Sequence, residues 1–144
     1  MCNRINYLVL RNRYITFMDT EELINKIVQC AMNVRLQLQP GYLESVYRNA
    51  LMIELHDNGM KAETEVPIVV HYKGHIVGDF RADIIVEGSV IVELKSVSSI
   101  QSCHETQLVN YLVATNIDNG LLINFGGEKL EVKRKFRVYR PKGK

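Results

Sequence analysis

The stretch from residue 83 to residue 95 decides the fold, and it reads Asp-Ile-Ile-Val-Glu-Gly-Ser-Val-Ile-Val-Glu-Leu-Lys. Two apolar runs rich in β-branched residues flank the tripeptide Glu87-Gly88-Ser89, which is the pattern of a β-hairpin. If the tripeptide forms the loop, Val86 pairs with Val90 across the two strands. The stretch therefore predicts an antiparallel hairpin whose odd-length loop sets the register.

The charged residues of this stretch lie near the open end of the hairpin. The predicted register places Asp83 opposite Glu93, and directly opposed side chains have Cβ atoms roughly 5 Å apart. Because side chains alternate along a strand, Lys95 lies on the same face as Glu93. Two carboxylates so close repel each other unless a cation lies between them, which indicates a divalent-metal site suited to phosphate chemistry. A hairpin with solvated charges or a simple ion pair is the alternative, although charge is costly within apolar strands.

The composition is ordinary for a globular protein with a single core. The chain has 144 residues, of which 47% are hydrophobic and 24% charged, and this length favours one domain. No stretch is long and apolar enough to cross a bilayer, so we expect no membrane partner and a cytoplasmic location. The odd number of cysteines and the absence of C-x-x-C argue against a disulfide framework or a structural zinc site.

The rest of the chain predicts helices packed on a mixed sheet. Asp19 caps a first helix whose apolar stripe continues to Leu38. We expect residues 1–17 to be an extension, flexible or added by an upstream start codon, residues 18–140 to be one domain, and residues 141–144 to be a basic tail. The order α-α-β-β-β-α-β-β indicates an α/β protein of the α+β, mixed-sheet type. After the first helix, the predicted elements are a helix over Leu43–Asp57, strands over Glu63–Tyr72, Ile76–Val86 and Val90–Ser96, a helix over Ser102–Thr115, and strands over Leu121–Phe125 and Leu130–Tyr139.

Three local signals refine this outline. Ser102 and Glu105 have the spacing of a capping box, which predicts where the third helix begins. The dipeptide Asn119-Gly120 predicts a turn before the following strand. Cys30 falls on the apolar stripe of the first helix and is expected in the core.

Charge is concentrated at the carboxyl end of the chain. Residues 129–144 carry eight lysine and arginine side chains and one acid, Glu131. This basic segment would suit a polyanion that is steered toward a carboxylate-and-metal site. A solvated tail that aids solubility explains the same charge, and charge alone favours that alternative.

Polar residues on two predicted helices could complete a site on the hairpin. Gly41, Glu44 and Tyr47 follow one another at a spacing of three, so they lie close together along the start of the second helix. The helix macrodipole alone would favour a glutamate there. Gln107 and Tyr111 share one face of the third helix, which directly follows the Lys95 strand and could lean over the site. An exposed polar face is the alternative for that helix.

These residues together closely resemble the GxxExxY protein family, a branch of the PD-(D/E)XK, restriction-endonuclease-like nuclease superfamily. The resemblance implies a restriction-endonuclease-like core and a site for Mg²⁺ or Mn²⁺, with Asp83, Glu93 and Glu44 as metal ligands. It also implies that Lys95 is the catalytic lysine and that Gln107 and Tyr111 support it. Ala82-Asp83 stands in place of the Pro-Asp pair, and Gln39 replaces a glycine before Pro40-Gly41. The motifs are Pro40 to Tyr47, Asn49 to Leu51, Arg81 to Asp83, Ile91 to Lys95, His104 to Leu112 and Gly120 to Gly126.

The expected function is therefore a metal-dependent nuclease that hydrolyses phosphodiester bonds in nucleic acid, with DNA as the first substrate to test. The sequence leaves a homodimer open, because many enzymes that cut both DNA strands are dimers. One alternative is a nucleic-acid-binding module of the same fold that does not turn over or needs a partner. Another is a protein-interaction domain.

Overall fold

The structure, a computed structural model, describes residues 6–10 and 13–138. Its elements follow the predicted order after an added pair of strands at the start. They are β1 (Asn6–Leu10), β2 (Arg13–Phe17), α1 (Thr20–Gln37), α2 (Glu44–Asp57), β3 (Ala62–Tyr72), β4 (His75–Val86), β5 (Val90–Lys95), α3 (Ser102–Thr115), β6 (Asn119–Asn124) and β7 (Glu131–Phe136).

The central sheet has five strands in the order β3-β4-β5-β6-β7. β5 and β6 run parallel and α3 connects them, whereas all other neighbours are antiparallel. The hairpin of β4 and β5 has Val86 opposite Val90, the register that its loop length predicts. The predicted mixed sheet of an α+β fold is therefore confirmed.

Helices cover both faces of this sheet. α1 and α2 pack on one face, where Cys30 is buried, as its stripe predicts. α3 packs on the other face through Leu108 and Leu112. The side chain of Asp19 accepts a hydrogen bond from the backbone N–H of Glu22 at 2.8 Å, so the predicted cap of α1 is present. Among the helices in the part of the chain that the structure describes, none is long and apolar enough to cross a membrane.

The start of α3 and the approach to β6 differ from the prediction. Gln101 caps α3 and forms a reciprocal capping box with His104, instead of the predicted Ser102–Glu105 pair. Glu105 does not take part in the capping box, because its carboxylate forms ion pairs with lysines of β7. The predicted Asn119-Gly120 turn is wrong, since both residues lie in β6. The chain reverses at Asn116, which has a left-handed φ of 57°.

The two ends of the chain also differ from the outline. Within residues 1–17, β1 and β2 form a separate two-stranded antiparallel sheet, where no regular element was expected. The division of the chain at residue 18 stays a prediction. β7 ends at Phe136 rather than at Tyr139, and the predicted basic tail at residues 141–144 lies outside the described residues.

Candidate functional site

Asp83 and Glu93 meet where the hydrogen-bonded ladder between β4 and β5 ends. The ladder runs from Val86 and Val90 to Ile84 and Val92. One step further, the backbone N–H of Asp83 donates to Glu93 Oε1 at 3.0 Å.

The Asp83 carboxylate closes the same gap from the other side, because its Oδ2 accepts the backbone N–H of Leu94 at 2.8 Å. The two acids are therefore adjacent, as the register predicts, and each carboxylate replaces a ladder bond. A backbone donor consequently holds each carboxylate in place.

The gap coincides with a reversal of side-chain direction in β4. Ile84 packs with α1 and α2, whereas Ala82 packs with α3. Residues two apart on a regular strand face the same side of a sheet, so the direction reverses at Asp83. On the neighbouring strand, Thr64 pairs with Ile84 and Val66 pairs with Ala82. The pairing of β3 with β4 thus keeps one register across this level, with Glu65 and Asp83 lying between the two pairs.

Glu65 is the residue of β3 at this level. Its φ of 49° is left-handed, a conformation that costs a non-glycine residue on the order of 1 kcal/mol. Its carboxylate pairs with Arg48 of α2 at 3.3 Å, and its backbone carbonyl accepts from Arg81 at 3.4 Å. Sequence reasoning missed this residue, and glutamate carries no local signal for such a conformation.

Burial and repulsion dominate the electrostatics of the acid pair. Glu93 is only 5% exposed. Burial, followed by the negative charge of Asp83, raises the pKa of Glu93 to about 8, and the positive charge of Lys95 opposes this shift. Without a cation, the two carboxyl groups therefore hold one proton between them near neutral pH.

Lys95 is the last residue of β5 and is half-buried. Its ammonium forms no ion pair within 4.0 Å among the acids that the structure describes. A half-buried lysine without an ionic partner beside an acid pair is free to act on a bound ligand. Asp83, Glu93 and Lys95 are hereafter the acid–lysine site.

α3 brings Tyr111 close to this site. Tyr111 is 7% exposed, and its pKa is raised by burial and then by the negative charges of Glu93 and Asp83. Its hydroxyl therefore keeps its proton and can donate a hydrogen bond at neutral pH. Gln107 lies one turn earlier on the helix and is exposed. The structure thus places both predicted α3 residues on the side of the sheet that carries Glu93.

A groove of about 990 Å³ begins at these two residues. It lies between α3 and the β3–β4 ribbon, which we define as Val66–Tyr72 paired with His75–Ala82. Its size is at the upper end of the ~300–1,000 Å³ typical of ligand pockets. The lining residues are Val69, Val70, His71, Phe80, Ser102, Cys103, Thr106, Gln107, Asn110, Tyr111, Val113 and Ala114.

The spaced residues at the start of α2 have different roles. Gly41 lies in the preceding turn with a φ of 118°, a conformation that glycine adopts readily and other residues rarely adopt. Tyr47 is fully buried, and its hydroxyl donates to the carbonyl of Gln39 at 2.6 Å while its ring stacks on Phe125 at 4.7 Å. Gly41 and Tyr47 therefore shape the turn that presents Glu44.

Glu44 is the first residue of α2 and is exposed. The turn before it is tied to the end of β5, because Ser96 Oγ donates to the carbonyl of Tyr42 at 2.8 Å. Glu44 itself forms no ion pair with the described residues.

A metal site in this structure would rest on a pair of acids. Within residues 6–10 and 13–138, no group of three or more His, Cys, Asp or Glu side chains comes together as metal ligands. Asp83 and Glu93 are therefore adjacent without a third acid, and Glu44 is not brought to them. Two carboxylates offer only oxygen donors, which suit Mg²⁺ or Mn²⁺ far better than a soft metal. As a ligand, Glu44 stays a prediction.

Basic residues of β7, together with Arg137 directly after it, form ion pairs within the fold. Lys135 and Lys133 lie 2.7 and 3.5 Å from the carboxylate of Glu105 on α3. Arg134 forms two hydrogen bonds with Glu21 of α1. Arg137 pairs with Asp118 at 2.9 Å. In the described part of the basic segment, four cations thus form ion pairs within the protein, and the role of this segment toward a polyanion stays a prediction.

Asn124 is a buried polar residue that sequence reasoning had placed only within a motif. It pairs with Lys95 across the parallel strands and is fully buried. Its amide accepts from the backbone N–H groups of Val97 and Gly126 and donates to the carbonyl of Val97 and to Glu131, all at 2.9–3.0 Å. These bonds anchor the segment that leaves Lys95.

Comparisons with known proteins agree with this geometry. A sequence model of the PD-(D/E)XK nuclease superfamily matches residues 21–135, which is most of the chain. No match is found among curated proteins.

Among solved structures, the fold is similar to one described as "Crystal structure of SSO0001". The TM-score is 0.52 with 24% sequence identity over 64% of this chain, and the match spans 48% of that chain. At this level of identity the likeness concerns the fold alone.

Proposed function

Because the chain belongs to the PD-(D/E)XK nuclease superfamily, we propose that it is a divalent-cation-dependent nuclease that hydrolyses phosphodiester bonds in DNA. Mg²⁺ is the proposed cation, and Mn²⁺ is an alternative of the same coordination chemistry. The finer likeness to the GxxExxY family is part of this proposal.

One observation carries the proposal: two adjacent carboxylates, the buried Glu93 and the half-buried Asp83, beside a lysine that has no ionic partner among the described residues. Burial and then repulsion by Asp83 raise the pKa of Glu93 to about 8, and the fold gains nothing from that repulsion. A cation held by oxygens of Asp83 and Glu93 would relieve that repulsion. When bound, such a cation supplies positive charge that stabilises the negative charge developing on a phosphate.

The residues of this chain would divide the remaining work. Lys95 brings a positive charge to the phosphate or orients the attacking water through a hydrogen bond. Tyr111 donates a hydrogen bond from a hydroxyl that keeps its proton. Gln107 can position the phosphate or a water through its exposed amide. The backbone N–H groups of Asp83 and Leu94 hold the two carboxylates in fixed orientations.

Glu44 supports a second candidate function. Because it stands exposed and apart from the acid pair, the complete acidic cluster could require nucleic acid or a partner protein to assemble. The protein would then bind nucleic acid without cleaving it alone. Strong, salt-sensitive binding without cleavage in Mg²⁺ and Mn²⁺ would favour this candidate.

A cleavage assay with a matched pair of lysine variants tests the proposed function. Purified protein is incubated with plasmid, linear duplex, single-stranded DNA and RNA in Mg²⁺, Mn²⁺ or EDTA. We expect cation-dependent cleavage that Lys95→Ala lowers about 100-fold or more. Lys61→Ala, which removes an exposed lysine beside the loop between β4 and β5, should retain full activity. Equal cleavage by the protein and by Lys95→Ala would reject the proposal, because it would mark a contaminant.

A further inference from the structure

The groove beside the acid–lysine site contains an exposed aromatic ring. Phe80 of the β3–β4 ribbon is 42% exposed and lines the groove. Its ring centroid lies 5.7 Å from that of Tyr111, which lines the groove and also lies close to Glu93 and Asp83 of the acid–lysine site. Part of this ring is in contact with water, and a flat ligand that stacks on the ring would remove that apolar area from water.

Two amide side chains provide polar groups in the same groove. Gln107 and Asn110 are exposed on neighbouring turns of α3. Neither side chain takes part in a hydrogen bond with the described residues. Each amide can donate and accept, which is the pattern needed to bind the edge of a nucleobase.

The charge of the groove favours a base over a phosphate. Among the described residues, no carboxylate, lysine or arginine lines the groove, and His71 is the one basic side chain there. A phosphate would instead be attracted to Lys95 and to a cation at Asp83 and Glu93. The sugar–phosphate backbone and the base would thus occupy adjoining places, as they do in a nucleotide.

We infer that the groove binds an unpaired nucleobase of the strand whose phosphate lies at the acid–lysine site, so that single-stranded or frayed nucleic acid is the preferred substrate class. This inference rests on the proposed nuclease function. In a continuous duplex, both faces of each base are covered by stacking and its pairing edge is occupied, so Phe80 and the amides could not reach them.

A binding experiment tests the inference without cleavage. An oligonucleotide with one 2-aminopurine, as DNA and as RNA, is titrated with protein in EDTA, both as a single strand and as the matched duplex. Stacking on Phe80 should quench 2-aminopurine fluorescence in the single strands. Phe80→Ala should weaken single-strand binding about 5- to 100-fold and abolish the quenching, while Phe80→Tyr should retain both. Duplex binding should change less than about two-fold.

Val77→Ala is the matched control. Val77 is an exposed apolar residue of the same strand, at 62% exposure, and lies outside the groove. It should leave binding and quenching unchanged. Equal loss in the Phe80 and Val77 variants, equal loss on single strand and duplex, or no quenching with the unmodified protein would each overturn the inference.

Three further outcomes separate this inference from a dimer interface and from the nuclease proposal. If Phe80→Ala converts a dimer into a monomer and leaves oligonucleotide binding unchanged, the groove binds a second copy and the inference is overturned. If single-strand binding follows the expected pattern but no cation supports cleavage, the groove inference stands and the nuclease proposal fails. If Phe80→Ala cleaves duplex and single strand normally while Lys95→Ala loses all cleavage, the nuclease proposal stands and the groove inference fails.

Discussion

The ends of the neighbouring strands β5 and β6 each bury a polar side chain, but in opposite circumstances. Asn124 on β6 is fully buried, and hydrogen bonds satisfy its amide oxygen and its amide nitrogen. Glu93 on β5 is 5% exposed, and its pKa is raised first by burial and then by the second carboxylate beside it. Both side chains lose hydration on burial. Asn124 replaces it with four hydrogen bonds, whereas Glu93 accepts one backbone N–H and also faces a second carboxylate.

This difference teaches how to separate structural from functional polar residues. A buried polar group with a complete set of partners stabilises one arrangement of the chain. A buried group that is repelled by its neighbour lowers stability, and it is expected where a ligand supplies the missing interaction. Substitution of Asn124 and substitution of Glu93 should therefore change the stability of the protein in opposite directions.

Asn124→Ala should give the largest change in stability. The substitution leaves the backbone groups of Val97 and Gly126 without their partner in a buried place, and it opens a small cavity. We expect a loss of about 3 kcal/mol and a fall in melting temperature on the order of 10 °C. Thermal unfolding followed by circular dichroism measures this change.

Asn49→Ala is the control for that substitution. Asn49 is exposed on α2, and alanine is the better helix former, so stability should stay equal or rise by about 0.5 kcal/mol. Similar losses in both variants would show that the bonds of Asn124 are not the source of the effect.

Glu93→Gln should raise the free energy of unfolding, whereas Asn124→Ala lowers it. The gain should be smaller than that loss and should occur only at higher pH. In the cation-free protein, Glu93 keeps its proton up to about pH 8, whereas the unfolded chain releases it near the ordinary value of 4.5. Unfolding therefore releases a proton between these limits, and stability falls as pH rises through this range. The glutamine variant, which cannot titrate, should be more stable than the original protein at pH 8 by on the order of 2 kcal/mol.

Melting curves in EDTA from pH 4.5 to pH 8.5 measure this effect. Near pH 4.5 the two proteins should differ little, because Glu93 is then protonated in the folded state. Adding Mg²⁺ at pH 8 should raise the melting temperature of the original protein but not of Glu93→Gln. If the melting temperatures of the original protein and Glu93→Gln differed by the same amount at every pH, the difference between Glu93 and Asn124 would not be electrostatic.

Local sequence was enough to predict the hairpin. The β-branched runs and the odd-length loop specify the pairing of Val86 with Val90, because strand and turn preferences act over a few residues. The placement of Asp83 beside Glu93 follows from that register by simple alternation. The helix after β5 was also predicted, and with it the position of Tyr111 near the acids.

The features that sequence reasoning missed depend on distant contacts. Glu65 adopts its left-handed conformation where β3 meets Asp83, and its carboxylate is paired with Arg48 from another element. Arg134 pairs with Glu21, from which it is separated by most of the chain. Such pairs follow from the packing of α1 and α3 on the sheet, which no local pattern contains. For the same reason, the exposed position of Glu44 could not be read from its spacing to Tyr47.

Lys133→Ala should have the smallest effect and extends the comparison to β7. Lys133 is 45% exposed and lies 3.5 Å from Glu105, which a second lysine, Lys135, also contacts at 2.7 Å. An exposed ion pair with a remaining partner contributes little, so we expect a change of less than about 0.5 kcal/mol.

The salt dependence of oligonucleotide binding should also stay the same, because this cation acts within the fold. If the slope of log K against log[salt] instead fell by about one, Lys133 would contact a phosphate. The basic side chains of β7 would then act in substrate binding, as the acid–lysine site does. Having an ion-pair partner within the fold would no longer show that a charged residue is structural.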